Sequence, residues 1–165
     1  MALPSGKPTA APVQQPIQAQ AADAEFRLIL KADGADHVAG VPITMTTELH
    51  YIGARPQLKL AGSGSGLVVV SLTQLDGPLE IAAGGTDDCV GYAIAPGVLM
   101  VRPYVKNGGW DADDPNAAFY RAFFADPLLR LPHGRWRAFA MAEFVIGDCR
   151  GPGHELNTTL DIVVR

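Results

Sequence analysis

From Phe26 onward, apolar and polar side chains take turns. Phe26, Leu28 and Leu30 are interleaved with Arg27 and Lys31, and Ile43, Met45, Thr47, Leu49 and Tyr51 with Thr44, Thr46, Glu48 and His50. Successive side chains of an extended chain point to opposite faces, so each run predicts a strand with one buried face. The stretches PQLKLAG, GLVVVSLTQL, CVGYAIA and VLMVRPYV predict four more. Two long strands close the chain: Trp136, Ala138, Ala140, Ala142 and Phe144 form one face of the first, and Leu156, Thr158, Leu160, Ile162 and Val164 one face of the second. About eight strands result. Between them stand DGADHVAGVP, DGP, AAGGTDD, APG, LPHG and RGPG, which are turn chemistry rather than crossover helices. The pattern predicts a mainly β fold, an antiparallel sandwich or barrel, of which the sandwich is adopted here.

One segment departs from the alternation. In DDPNAAFYRAFFADP, residues 113–127, Asp114 stands at an N-cap position, Pro115 in the first turn and Pro127 at the stop. Phe119 and Phe123, and Tyr120 and Phe124, fall four apart. Aromatic rings therefore cover a wide arc of a helix near 114–126, which predicts that it docks across an open end or face of the sandwich.

The first 24 residues read differently. They carry four prolines and four glutamines among many alanines, a composition that predicts a flexible or polyproline-like tether over 1–24 ahead of a sandwich domain over 25–165. The tether has no apolar h-region of a secretion signal. No stretch approaches the roughly 20 apolar residues that span a bilayer, so no membrane insertion is expected. At 165 residues the chain suits one core and one domain. With 13 Lys and Arg against 17 Asp and Glu, a net charge of -4 offers no electrostatic footprint for nucleic acid. Arg130, Arg135 and Arg137 are the nearest approach to a basic cluster and fit the solvated end of a strand.

Cys89 and Cys149 lie in polar, glycine-bearing surroundings, TDDCVGY and IGDCRGPG. Such settings suit strand ends and loops and point to a disulfide, hence to an oxidising, extracytoplasmic or cell-surface location. Two unconnected thiols in a cytosolic domain are the alternative.

Three segments carry a family resemblance. AGVPITMTTELHY, LPHGRWRAFAMAEF and HELNTTLDIVV resemble strand signatures of bacterial immunoglobulin-like modules, including the group similar to the intracellular proteinase inhibitor of bacilli. Gly40, Pro42 and Ile43 match one strand opening, and Pro132, Gly134 and Trp136 another. The match covers about a third of the chain and implies an immunoglobulin-like sandwich with one inserted helix. The helical insertion departs from a minimal module, as does Trp136, where an aromatic with a hydroxyl is commoner.

Candidate chemistry is sparse. Gly62, Gly64 and Gly66 lack the Gly-Lys-Ser/Thr ending of a phosphate loop and the spacing of a dinucleotide fingerprint, and Ser63 and Ser65 do not sit in a nucleophile elbow. These glycines are expected to turn the chain. His37, His50, His133 and His154 share no metal-ligand spacing, and His50 and His133 are expected to be exposed. No catalytic residue, cofactor or metal ligand is assigned.

The most informative surface is KNGGWDADDPN, residues 106–116. Trp110, Asp111, Asp113 and Asp114 there suggest a recognition loop; a cation site is a second reading, because closely spaced carboxylates suit calcium. A third reading is purely structural, with Asp113 and Asp114 answering the helix dipole and Trp110 covering core. The expected function is a non-catalytic binding or structural module on a tether, meeting a protein partner or cell-surface assembly. The rivals are a subunit of a larger assembly whose N-terminal arm is ordered on another chain, and a hydrolase-type enzyme whose site forms only in three dimensions.

Overall fold

A computed structural model describes residues 15–97 and 99–165. The chain forms two facing sheets and one helix. The first sheet has the order β1-β2-β4-β9, from β1 (Ile17–Ala22), β2 (Phe26–Ala32), β4 (Met45–Tyr51) and β9 (Leu99–Pro103). The second has the order β3-β11-β10-β5-β8, from β3 (Asp36–His37), β11 (Gly153–Val164), β10 (Gly134–Ile146), β5 (Leu58–Gly62) and β8 (Val90–Ile94). The far edge of β10 is shared: β6 (Val68–Gln74) pairs with residues 136–142 and β5 with 145–146, while β7 (Glu80–Ile81) pairs with β6.

Alternation explains the core. Phe26, Leu28, Leu30, Leu49 and Tyr51 of the first sheet meet Leu60, Leu72, Trp136, Phe144 and Ile162 of the second, all buried. Along β10 the inward row is Trp136, three alanines and Phe144, all buried. Small side chains at the middle let the facing sheet approach, and the large ends close the core. At one end Phe26 lies 4.8 Å from Phe144 and 5.5 Å from Tyr51 between ring centroids.

Three expectations need correction. Residues 17–22 are not tether: Ile17–Ala22 pair antiparallel with Ala32–Arg27 of the same chain and form the first sheet's edge. Ile17, Ala19 and Ala21 are half-buried while Gln18 and Gln20 are exposed, so period two is present but carried mostly by alanine, whose apolar signal is weak. The arm is thus ordered in its own sheet; the rest of the segment read as tether, residues 1–14, lies outside the described residues. The sandwich is also not wholly antiparallel, because β3 runs parallel to the end of β11.

The third correction concerns the helix α1, which spans Ala117–Ala125 with Asn116 at its N-cap position. Asp114 does not cap it. Its Oδ1 accepts the Asn116 N–H at 2.6 Å, and its backbone carbonyl accepts the Ala117 N–H. A local turn competes with the cap for the same side chain. Docking is as expected: Tyr120 and Phe123 are buried in the core, with Phe119 and Phe124 packed against it. The Tyr120 hydroxyl accepts the Glu80 N–H at 3.2 Å and ties α1 to β7.

No helix among the described residues is long and apolar enough to cross a membrane. Gly66, at φ 124°, donates its N–H to the Ser63 carbonyl, so the 62–66 stretch turns the chain between β5 and β6 as expected.

Candidate functional site

The loop between β9 and α1 is anchored near its start by two adjacent residues. Lys106 Nζ donates to the carbonyls of Phe123 at 2.6 Å and Asp126 at 2.8 Å, and lies 3.8 Å from the Phe123 ring centroid. These carbonyls belong to the last turn of α1 and to its C-cap residue, where unpaired acceptors and the negative end of the dipole favour a cation. Burial draws the Lys106 amine below its ordinary value, opposed by the charge of Asp126. Asn107 then imitates a strand partner: its Nδ2 donates to the Gly84 carbonyl and its Oδ1 accepts the Gly84 N–H. Replacing Lys106 with Met removes both charge-assisted bonds and leaves the helix end bare, so a loss of about 1–3 kcal/mol is expected in chemical denaturation.

Just beyond these anchors the loop presents Trp110 half-exposed, packed on the core and with the Arg121 guanidinium 5.5 Å from its ring centroid. Trp110 and Asp114 line a cleft of about 430 Å³ with Thr73, Gln74, Glu80 and Tyr120. Asp111 and Asp113 are exposed and do not line it. Asp111 Oδ1 accepts the Asp113 N–H at 2.9 Å, a turn closed on itself. Asp111 and Asp114 thus each spend an oxygen on the local backbone, and no group of three or more His, Cys, Asp or Glu among the described residues could hold a metal ion.

A larger hollow, about 530 Å³, lies elsewhere and was not anticipated. Ser63, Thr86, Asp87, Glu143, Phe144 and His154 border it. Half-buried His154 rests on the rings of Phe144 and Phe26, and its Nε2 sits 2.8 Å from Asp23 Oδ2, off the line of a good hydrogen bond. Burial works to raise the Asp23 carboxyl, but the N–H groups of Glu25 and Phe26 and the His154 imidazole outweigh it and hold the carboxyl below its usual value. Asp23 and His154 are far apart in sequence, so no local spacing could have paired them. Ser63 Oγ bonds to Ser65 and Thr86 hydroxyls, and among the described residues no hydrogen bond joins a serine to an imidazole.

The remaining histidines divide. His37 is buried, its Nε2 2.9 Å from the Gly34 carbonyl. His133 is exposed as expected, whereas His50 is half-buried and sits 3.1 Å from Glu48 Oε2. Hydrogen bonds from Lys31, and then from His50, pull the Glu48 carboxyl down against the opposing effect of burial. Burial pushes the Tyr104 phenol well above its ordinary value. Of the arginine trio, Arg137 pairs bidentately with Asp161 across the β10–β11 ladder and Arg130 with Asp126, both partly exposed.

Cys89 and Cys149 are joined in a disulfide with Cα atoms 6.1 Å apart, inside the usual span. Both are exposed, and the bridge ties the loop before β8 to the turn between β10 and β11. The same loop is stitched to the β5–β6 turn through Thr86 and Asp88, the latter accepting the Gly64 N–H at 2.9 Å. Compared with known proteins, the chain matches no family model and no curated protein.

Proposed function

We propose that this chain is a non-catalytic binding module of an extracytoplasmic or cell-surface assembly, with the Trp110 cleft as its contact surface. The observation that carries the reading is the half-exposed indole at the rim of a cleft whose two walls are fixed independently: the loop by Lys106 and Asn107, the helix by Tyr120. A rigid, amphipathic ring on an anchored loop loses little conformational entropy on meeting a partner. The surface disulfide supports an oxidising location. Kinship with bacterial immunoglobulin-like modules, argued from Gly40, Pro42, Ile43, Pro132, Gly134 and Trp136, is part of the same proposal.

Fluorescently labelled full chain added to intact producing cells should bind their surface saturably. Trp110→Ala should lower that binding at least about tenfold, equivalent to about 1.4 kcal/mol, with a melting temperature within a few degrees of the parent. Equal binding by the variant, or none by the parent, contradicts the reading.

A further inference from the structure

β11 carries a modification signal that stands apart from the Trp110 cleft. The chain has three asparagines. Asn107 is followed by two glycines and Asn116 by two alanines, but Asn157 opens Asn157-Thr158-Thr159, the Asn-x-Thr pattern of an N-glycan acceptor, with no proline at its middle. Positions two apart on a strand share a face, so Asn157 and Thr159 project the same way, and both are exposed. Exposed Glu155 precedes them in the same row, and its Oε1 accepts a hydrogen bond from Asn157 Nδ2 at 3.3 Å. Carboxylate, amide and hydroxyl thus stand in line on the solvent face, three side chains that one enzyme can read from an extended segment.

We propose that Asn157 is an N-glycosylation site, modified as the chain passes to the extracytoplasmic side. The inference rests on the location proposed above and not on the Trp110 surface. The donor is a saccharide carried on a polyprenyl diphosphate. Asn157 Nδ2 forms a bond to the anomeric carbon of the sugar, the bond from that carbon to the diphosphate oxygen breaks, and the amide gives up one proton as the lipid diphosphate leaves. No oxidant or reductant takes part. The exposed Cys89–Cys149 bridge supports the oxidising kind of compartment in which such transfer takes place.

Transfer precedes the pairing of β10 with β11, while the segment is still accessible, so the folded structure must have room for the product. It has that room. Asn157 lies opposite Met141 of β10, and among the described residues no strand pairs with the outer edge of β11 between Gly153 and Ile162. A shift of the tripeptide by one residue would turn the amide toward the facing sheet. A glycan here also serves the fold, because an open strand edge invites pairing with other chains. Half-buried Phe139 and Met141 sit beside Thr159 and Asn157 on the same face, and a bulky, hydrated branch shields them together with the edge.

The test is mass spectrometry of the full chain purified from its producing cells, with electron-transfer fragmentation of the peptide that contains Asn157. That peptide should carry one or more sugar residues on Asn157. Asn157→Gln and Thr159→Ala, expressed in the same cells, should each lower occupancy at least about tenfold, while Thr159→Ser, which keeps the hydroxyl, should remain modified. Thr159 is exposed, so neither of its variants disturbs the core. The proposal is overturned if Asn157 is unmodified, if the sugar sits on Thr158 or Thr159 instead, or if Thr159→Ala and Thr159→Ser behave alike. An unmodified chain recovered outside the cytoplasm removes the glycan and leaves the binding-module reading standing; an unmodified chain confined to the cytoplasm removes both.

Discussion

Trp136→Ala should destabilise the protein by about 3–5 kcal/mol, the usual cost of truncating a large buried aromatic. Trp136 has no exposed surface. It stands at the start of the inward row of β10, followed by Ala138 and Ala140, and alanines have no side chain with which to fill the space it would vacate. Its Nε1 donates to the Pro132 carbonyl at 3.0 Å, fixing the chain's entrance to the longest strand of the second sheet, so the substitution also orphans an acceptor. Urea denaturation of parent and variant measures the difference. A loss under about 1 kcal/mol would show that this end of the core is loosely packed. Trp136→Phe should cost less, since the ring volume is largely restored and only the hydrogen bond is lost.

The second large effect is expected from the disulfide. Cys89 and Cys149 are separated by 60 residues, and in the chain-entropy model a loop of that length confines the unfolded chain by about 4 kcal/mol. Both cysteines are exposed, so Cys89→Ser combined with Cys149→Ser removes little packing and isolates the effect of the crosslink. The double variant should melt roughly 10 °C below the parent. The same shift should follow when a reductant is added to the parent, while the variant should not respond. Matching midpoints for oxidised and reduced parent would mean that the unfolded chain is already confined by other means.

Alternation made the centre of this fold legible. In β2, β4 and β10 the residues placed inward by period two are all buried: Phe26, Leu28 and Leu30; Met45, Thr47, Leu49 and Tyr51; Trp136, Ala138, Ala140, Ala142 and Phe144, with Ile29 of β2 buried besides. The strands that escaped notice are weak in that signal. In β1 alanine stands where leucine or valine would announce a buried face, and β3 and β7 have two residues each, too few for any period. The helix was legible from its aromatic spacing, but its start was not, because an aspartate before a proline can close a turn as readily as cap a helix. Asp114 closes the turn.

The site was half legible. An aromatic and acids in a glycine-rich loop marked Trp110 and Asp114, which share the cleft, together with Asp111 and Asp113, which do not line it. Gln74 and Glu80 reach the cleft from β6 and β7, far earlier in the chain than Trp110 and Asp114, and only the folded arrangement brings them there. No local pattern in the sequence marks Lys106; its part as the clamp on the end of α1 depends on where Phe123 and Asp126 direct their carbonyls.

The chain has two tryptophans: Trp136 holds the sandwich together, and Trp110 is the residue proposed to meet the partner. Their indole N–H signals can be followed separately by nuclear magnetic resonance in deuterated solvent. The Trp136 N–H should resist exchange, while that of Trp110 exchanges at once. Rapid exchange at Trp136, or protection at Trp110 equal to that at Trp136, would contradict these assignments.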